Sequence, residues 1–160
     1  MKGSQVKFVI ALLALSVFGV TFGSGCAAMR ASAARQAHIN KMTKQHVYSM
    51  PCEQVWPTAR QLLFTNGFSV KDTGEGTTMT LETEWAYQGQ SSSRYLVQGI
   101  EPTESQCKVN FTKNTRSQNN HTSTNRDLDI EWQLLQKVDQ ESAQKILQEA
   151  EVKANAASAS

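Results

Sequence analysis

An α+β fold is predicted, with an antiparallel sheet of about four strands in one layer and helices on one of its faces. Two observations predict it. Apolar residues recur at helical spacing before residue 67 and again after residue 126. Between these stretches, short segments alternate apolar and polar side chains, the period of strands with one buried and one wet face. Strands grouped together between helices favour two segregated layers over a parallel βαβ arrangement.

The elements follow in chain order. Pro51–Asn66 reads as a helix, because Val55, Ala59, Leu62 and Leu63 fall on one face that Trp56 widens. Ser49 is placed to cap it, Pro51 suits its first turn and Gly67 its C-terminal stop. Pro57 removes a backbone donor and predicts a kink or a delayed start. Phe68–Asp72 is a short strand and Gly74–Gly76 a turn. Thr77–Trp85 is a second strand, with Met79, Leu81, Thr83 and Trp85 on one face and Thr78, Thr80, Glu82 and Glu84 on the other. Gln88–Ser92 is a polar turn, and Arg94–Ile100 and Gln106–Lys113 complete the strands. In the last of these Cys107, Val109 and Phe111 alternate with Lys108, Asn110 and Thr112.

Asn114–Arg126 has no apolar residue and is expected as a mobile loop. Helical spacing returns over Asp127–Val138 through Leu128, Trp132, Leu135 and Val138, with Ile130 and Leu134 beside them. Asp139 is placed to cap a further helix, Gln140–Lys153, whose apolar positions are Ala143, Ile146, Leu147 and Ala150. The division expected is a signal over residues 1–25, a lipid-anchored tether over 26–47, the domain over 48–151 and a disordered tail over 152–160.

The N-terminus has the three-part layout of an export signal. Lys2 and Lys7 supply the charge, Phe8–Phe22 is an uncharged apolar run, and Gly23-Ser24-Gly25 are small residues before Cys26. An apolar run of about 15 residues is short of the roughly 20 that span a bilayer. An uncleaved anchor helix and cleavage without lipid are the other two readings. Small residues before a cysteine resemble a bacterial lipobox, although Gly23 stands where such signals carry an aliphatic residue. That resemblance implies a diacylglycerol on the Cys26 thiol and further acylation of its amine, and acyl chains in combination anchor stably. Ala27, in place of an aspartate, implies release to the outer membrane in enteric-type sorting.

Lipid on Cys26 leaves Cys52 and Cys107 as a pair in an oxidising compartment, either bridged or as two unpaired thiols, one of them buried. The net charge is +2, and the two signal lysines account for it, so the remainder is formally neutral. A neutral domain lacks the electrostatic footprint for DNA or RNA. His38, His46 and His121 have no metal-ligand spacing, there is no CxxC, and neither metal nor cofactor is expected.

No G-x-S-x-G, HExxH or P-loop is present, and the domain is expected not to be an enzyme. Glu82 and Glu84 read as a solvated pair in preference to an acid–base dyad, and Cys52 near His46 is a sequence neighbour, not a site. Of the three tryptophans, Trp56 and Trp132 lie on helical stripes and belong to the core. Trp85, with Tyr87 close by, is the candidate binding surface.

The order of elements, with Val55-Trp56, Arg60–Leu63, Gly67-Phe68 and Thr83-Glu84-Trp85, resembles the BamC-type lipoproteins over roughly Val47–Leu135. These are accessory lipoproteins of the outer-membrane β-barrel assembly machinery. The resemblance implies a helix-grip-like fold, anchorage in the outer membrane with the domain facing the periplasm, and assembly proteins as partners. Helix-grip folds also hold apolar ligands between helix and sheet, so a periplasmic lipid- or peptide-binding domain is the alternative.

Overall fold

A single disulfide and one long hairpin organise the domain. The computed structural model describes residues 24–71, 79–119 and 121–159, so the first 23 residues of the signal segment and the Gly74–Gly76 turn lie outside the described residues. Helices α1 (Ser24–Gln45) and α2 (Cys52–Thr65) precede six strands: β1 (Val70–Lys71), β2 (Thr80–Thr83), β3 (Ala86–Gln88), β4 (Ser91–Thr103), β5 (Gln106–Ser117) and β6 (Thr122–Arg126). Helices α3 (Leu128–Val138) and α4 (Gln140–Ser158) follow. The strands form one antiparallel sheet in the order β1-β2-β4-β5-β6, with β3 beside β4. This is the α+β arrangement of helices packed against a sheet, with six strands where about four were expected.

The two extra strands have separate causes. Strand β3 continues β2 along the same edge of β4: Leu81 pairs with Val97, and Tyr87 pairs with Ser92. The chain leaves the ladder between them at Glu84-Trp85. Strand β6 corrects the mobile loop expected over Asn114–Arg126. Strand β5 runs on to Ser117, and Thr122–Arg126 returns beside it, Arg116 pairing with Thr122 and Thr112 with Arg126. The segment lacks apolar residues because β6 is an edge strand, exposed along nearly its whole length. Its threonines are strand formers, and the ladder supplies the backbone bonds.

The helix-facing side of the sheet carries Thr83, Tyr95, Val97, Val109 and Phe111, all buried. Onto it pack Val55, Ala59, Leu62 and Leu63 of α2 and Ile130, Leu134 and Leu135 of α3. Phe111, Leu62, Leu63, Leu134 and Leu135 are each no more than 2 % exposed, so the space between helix and sheet is filled. Each such side chain contributes about 2 kcal/mol at most by area burial. Helix α2 runs unbroken through Pro57, and its start has no side-chain cap, contrary to the role expected of Ser49. Gly67, at φ 82°, ends it. Asp127 caps α3 by accepting from the N–H groups of Asp129 and Ile130, and Asp139 caps α4 by accepting from Ser142.

Gly99 is where α2 and the sheet come closest. A Cβ there would lie 2.8 Å from Met79 Cβ, 3.3 Å from the Trp56 ring and 3.4 Å from Cys52 Sγ. The same corner holds the Cys52–Cys107 disulfide, both cysteines fully buried. Tyr48 adds a bridge here, exchanging backbone hydrogen bonds of 2.7 and 3.0 Å with Cys107.

The tether and the tail are both part of the fold. Helix α1 spans residues 24–45, about 33 Å at 1.5 Å per residue. It lies antiparallel to α4, with an ion pair from Arg35 to Glu151, His38 facing Glu149 and His46 facing Asp139. Helix α4 reaches Ser158 instead of ending at Lys153, and Ala143, Ile146, Ala150 and Ala154 form its buried stripe. Alanines permit a close approach, so the weak apolar stripe of α1, essentially Ile39 and Met42, is enough to seat it.

Where strand β6 ends, a helix side chain takes over its role. Glu131 of α3 is buried and accepts from the Phe111 N–H at 3.0 Å, while both nitrogens that Arg126 offers it lie at 2.7 Å. A second Arg126 contact reaches the Lys44 carbonyl, joining α1 to the same corner. The buried carboxylate is thus paired and hydrogen-bonded, the condition under which burial of charge is tolerated.

Candidate functional site

The face of the sheet away from the helices carries the site. Residues opposite each other across antiparallel strands point the same way. Tyr87, Ser92, Arg116 and Thr122 form one such row across β3, β4, β5 and β6. The next row contains Arg94 and Asn114, with Thr124 donating to Asn114 Oδ1 at 2.7 Å. These positions alternate with Tyr95 and Val97, which face the helices, so the site and the core are two sides of the same strands.

Trp85 reaches this face because the strand breaks at Glu84-Trp85. Alternation alone put it on the strand face shared with Leu81 and Thr83, although it was named with Tyr87 as the candidate binding surface. Instead its ring lies 5.0 Å from the Arg94 guanidinium, a cation–π distance. Arg94 is held from its other side by an ion pair with Glu82. Glu84 is exposed and takes no part, so the two glutamates do not form a dyad.

At the hairpin end of this face, Trp85 and Tyr87 line an open groove of about 350 Å³. Its floor and far wall come from Gln90, Ser92, Arg116 and Gln118. A second cleft of about 280 Å³ shares Gln90 and Gln118 and extends to Asn119, so the trough crosses both hairpin tips. Tyr87 is 81 % exposed, so its ring stands open to solvent at the groove. Gly89, at φ 60°, makes the tight β3–β4 turn that brings Tyr87 and Ser92 opposite each other.

The remaining predicted residues are distributed elsewhere. Cys52 and Cys107 are joined, as above. Cys26 is a free, exposed cysteine in the first turn of α1, remote from the disulfide in sequence and fold. Trp56 and Trp132 are partly buried and pack against the core. Burial first, then the hydrogen bond to Asp127, pushes the Tyr95 phenol well above its ordinary pKa, and burial does the same for Tyr48. Both stay protonated structural groups. With Cys52 in a disulfide, no thiol faces His46. Among the described residues no three His, Cys, Asp or Glu side chains gather as a metal site would require, and no helix is long and apolar enough to cross a membrane.

Arg116 and Gln118 went unrecognised in the sequence because their segment reads as a loop. The signal available was β-forming threonines, Thr115 before and Thr122 and Thr124 after the polar turn residues Gln118-Asn119. Neither the protein-family models nor the curated proteins compared with the chain gave a match.

Proposed function

We propose that this chain is a lipid-anchored cell-envelope protein whose α+β domain acts without catalysis, supporting envelope or outer-membrane protein assembly through protein contacts, in the manner of the BamC-type lipoproteins it resembles. The observation that carries this reading is the partition of the cysteines. Cys52 and Cys107 are bonded to each other and fully buried, as suits an oxidising compartment, and this leaves Cys26 as the free thiol. That thiol follows an export-type segment and stands at the start of α1, where an acyl anchor would meet the fold with no flexible spacer. About 29 Å of helix would then separate the anchor from Gln45, so the α1–α4 pair would act as a stiff stalk holding the sheet off the membrane.

An apolar ligand held between helix and sheet is less well supported, since Phe111, Leu62 and Leu134 fill that space. The reading is tested by labelling growing cells with radioactive palmitate and fractionating their membranes. Label on the wild type in the outer membrane, absent from Cys26→Ala, is the expected result. Unlabelled wild-type protein recovered soluble from the periplasm would sink the anchor.

A further inference from the structure

We propose that the groove at the hairpin end binds an acidic glycan strand, with Tyr87 as the stacking platform and Arg116 as the anion contact. A pyranose ring has an apolar C–H face and a rim of hydroxyl groups. Recognition of it needs a flat, accessible aromatic surface beside amide and hydroxyl partners. Tyr87 supplies the surface, 81 % exposed and fixed on a strand in register with Ser92 and Arg116. Gln90 and Gln118 supply amides, each a donor and an acceptor. The trough is also elongated, running on into the second cleft through the same two glutamines, which suits a chain more than a single ring.

Other ligand classes fit the groove less well. An acyl chain would need apolar walls, and here serines, glutamines and an arginine line the floor. Nucleic acid would need several cations, and Arg116 is the single charged residue lining the trough. An added peptide strand would need free backbone groups. The floor strands β4 and β5 offer none, because β4 pairs with β3 and β5, and β5 with β4 and β6. One guanidinium among neutral partners matches a saccharide carrying a carboxylate or phosphate. Arg94 Nε, buried on the same face beside Trp85, has no hydrogen-bond partner, and this marks the region as polar but incompletely satisfied.

The choice of glycan sources rests on the export reading above, while the groove does not. Two envelope polymers present pyranose rings beside anionic groups: peptidoglycan, through the carboxylates of the peptides borne on its glycan strand, and the core oligosaccharide of lipopolysaccharide, through its acidic sugars and phosphates. The intact protein in mild detergent is sedimented with purified peptidoglycan sacculi, and titrated separately with core oligosaccharide freed of its lipid. Binding in one arm is expected, weakened roughly tenfold by Tyr87→Ala and at least as much by Arg116→Gln. Phe64→Ala, exposed on α2, serves as the distant control and keeps wild-type binding. Both groove residues are exposed, so unchanged unfolding midpoints are expected to accompany the loss. Sedimentation with sacculi assigns the ligand to the cell wall, and oligosaccharide binding assigns it to the outer membrane. Failure in both arms overturns the proposal, as does binding that the two variants leave intact, or capture of a peptide through this face instead. Because the arms use purified protein, their result is read independently of the palmitate labelling.

Discussion

The two ends of the β4–β5 ladder are made of opposite materials. Around Gly99 and Cys107 the strands are covered by α2, crossed by a buried disulfide and tied to Tyr48 by two backbone hydrogen bonds. Around Ser92 and Arg116 the same strands carry hydroxyl, amide and guanidinium groups, and an uncovered tyrosine stands beside them. One pair of strands therefore serves as anchor at one end and as display at the other. The contrast shows how a small domain can present a polar, weakly packed surface: rigidity is concentrated where a long-range crosslink and close packing already hold the ladder, and recognition is placed where neither is needed.

The strongest way to break this contrast is to remove the crosslink. The disulfide joins residues 55 apart in sequence, and the chain-entropy model assigns such a loop about 4 kcal/mol. Replacing both cysteines with alanine is expected to lower the free energy of unfolding by about that amount, measured in urea against the oxidised wild type. A loss under about 1 kcal/mol would mean that packing alone secures this end. Gly99→Ala probes the packing separately. The new methyl would press on Met79 Cβ at 2.8 Å, the root of a side chain that cannot swing away, so the backbone has to shift. A loss of about 2 kcal/mol is expected by the same measurement, and a neutral result would show that the α2–sheet contact is looser than its distances imply.

The two ends also differed in how readable they were. The packed end was legible because burial imposes a period. Val55, Ala59, Leu62 and Leu63 at helical spacing, and Cys107, Val109 and Phe111 at alternate positions, are all buried as their patterns implied. The display end was not, because a strand wet on both faces has no apolar alternation to announce it, and β6 read as a loop. Trp85 misled for a related reason. Its two-residue spacing from Thr83 put it on the strand face of Leu81 even though it was the candidate binding residue, and only the break in the strand turns it over to Arg94. Tyr87 was picked out through its aromatic character, but its partners could not be, since Arg116 comes from a strand whose register depends on contacts far away in sequence. The α1–α4 pair was missed because its seam is largely alanine, which hydropathy patterning underweights.

The smallest expected effect concerns pH, and it belongs to the packed end alone. His46 stacks edge-on against Tyr48, with ring centroids 4.6 Å apart, next to the bridge to Cys107. Its Nε2 lies 3.5 Å from Asp139 Oδ2 without making a hydrogen bond. Burial disfavours the imidazolium and outweighs the attraction of Asp139, so the folded-state pKa lies below the ordinary 6.5. The unfolded chain, with its higher pKa, binds the proton first as pH falls. The stability that neutral His46 contributes is therefore complete above 6.5 and is lost progressively as pH drops through the lowered folded value. His46→Gln cannot titrate, so between about pH 7 and about pH 5 the wild-type urea midpoint is expected to fall further than that of the variant. Parallel curves would show that Asp139 offsets the burial completely, and the packed end would then owe its strength to the crosslink and the Gly99 contact without a pH-sensitive component.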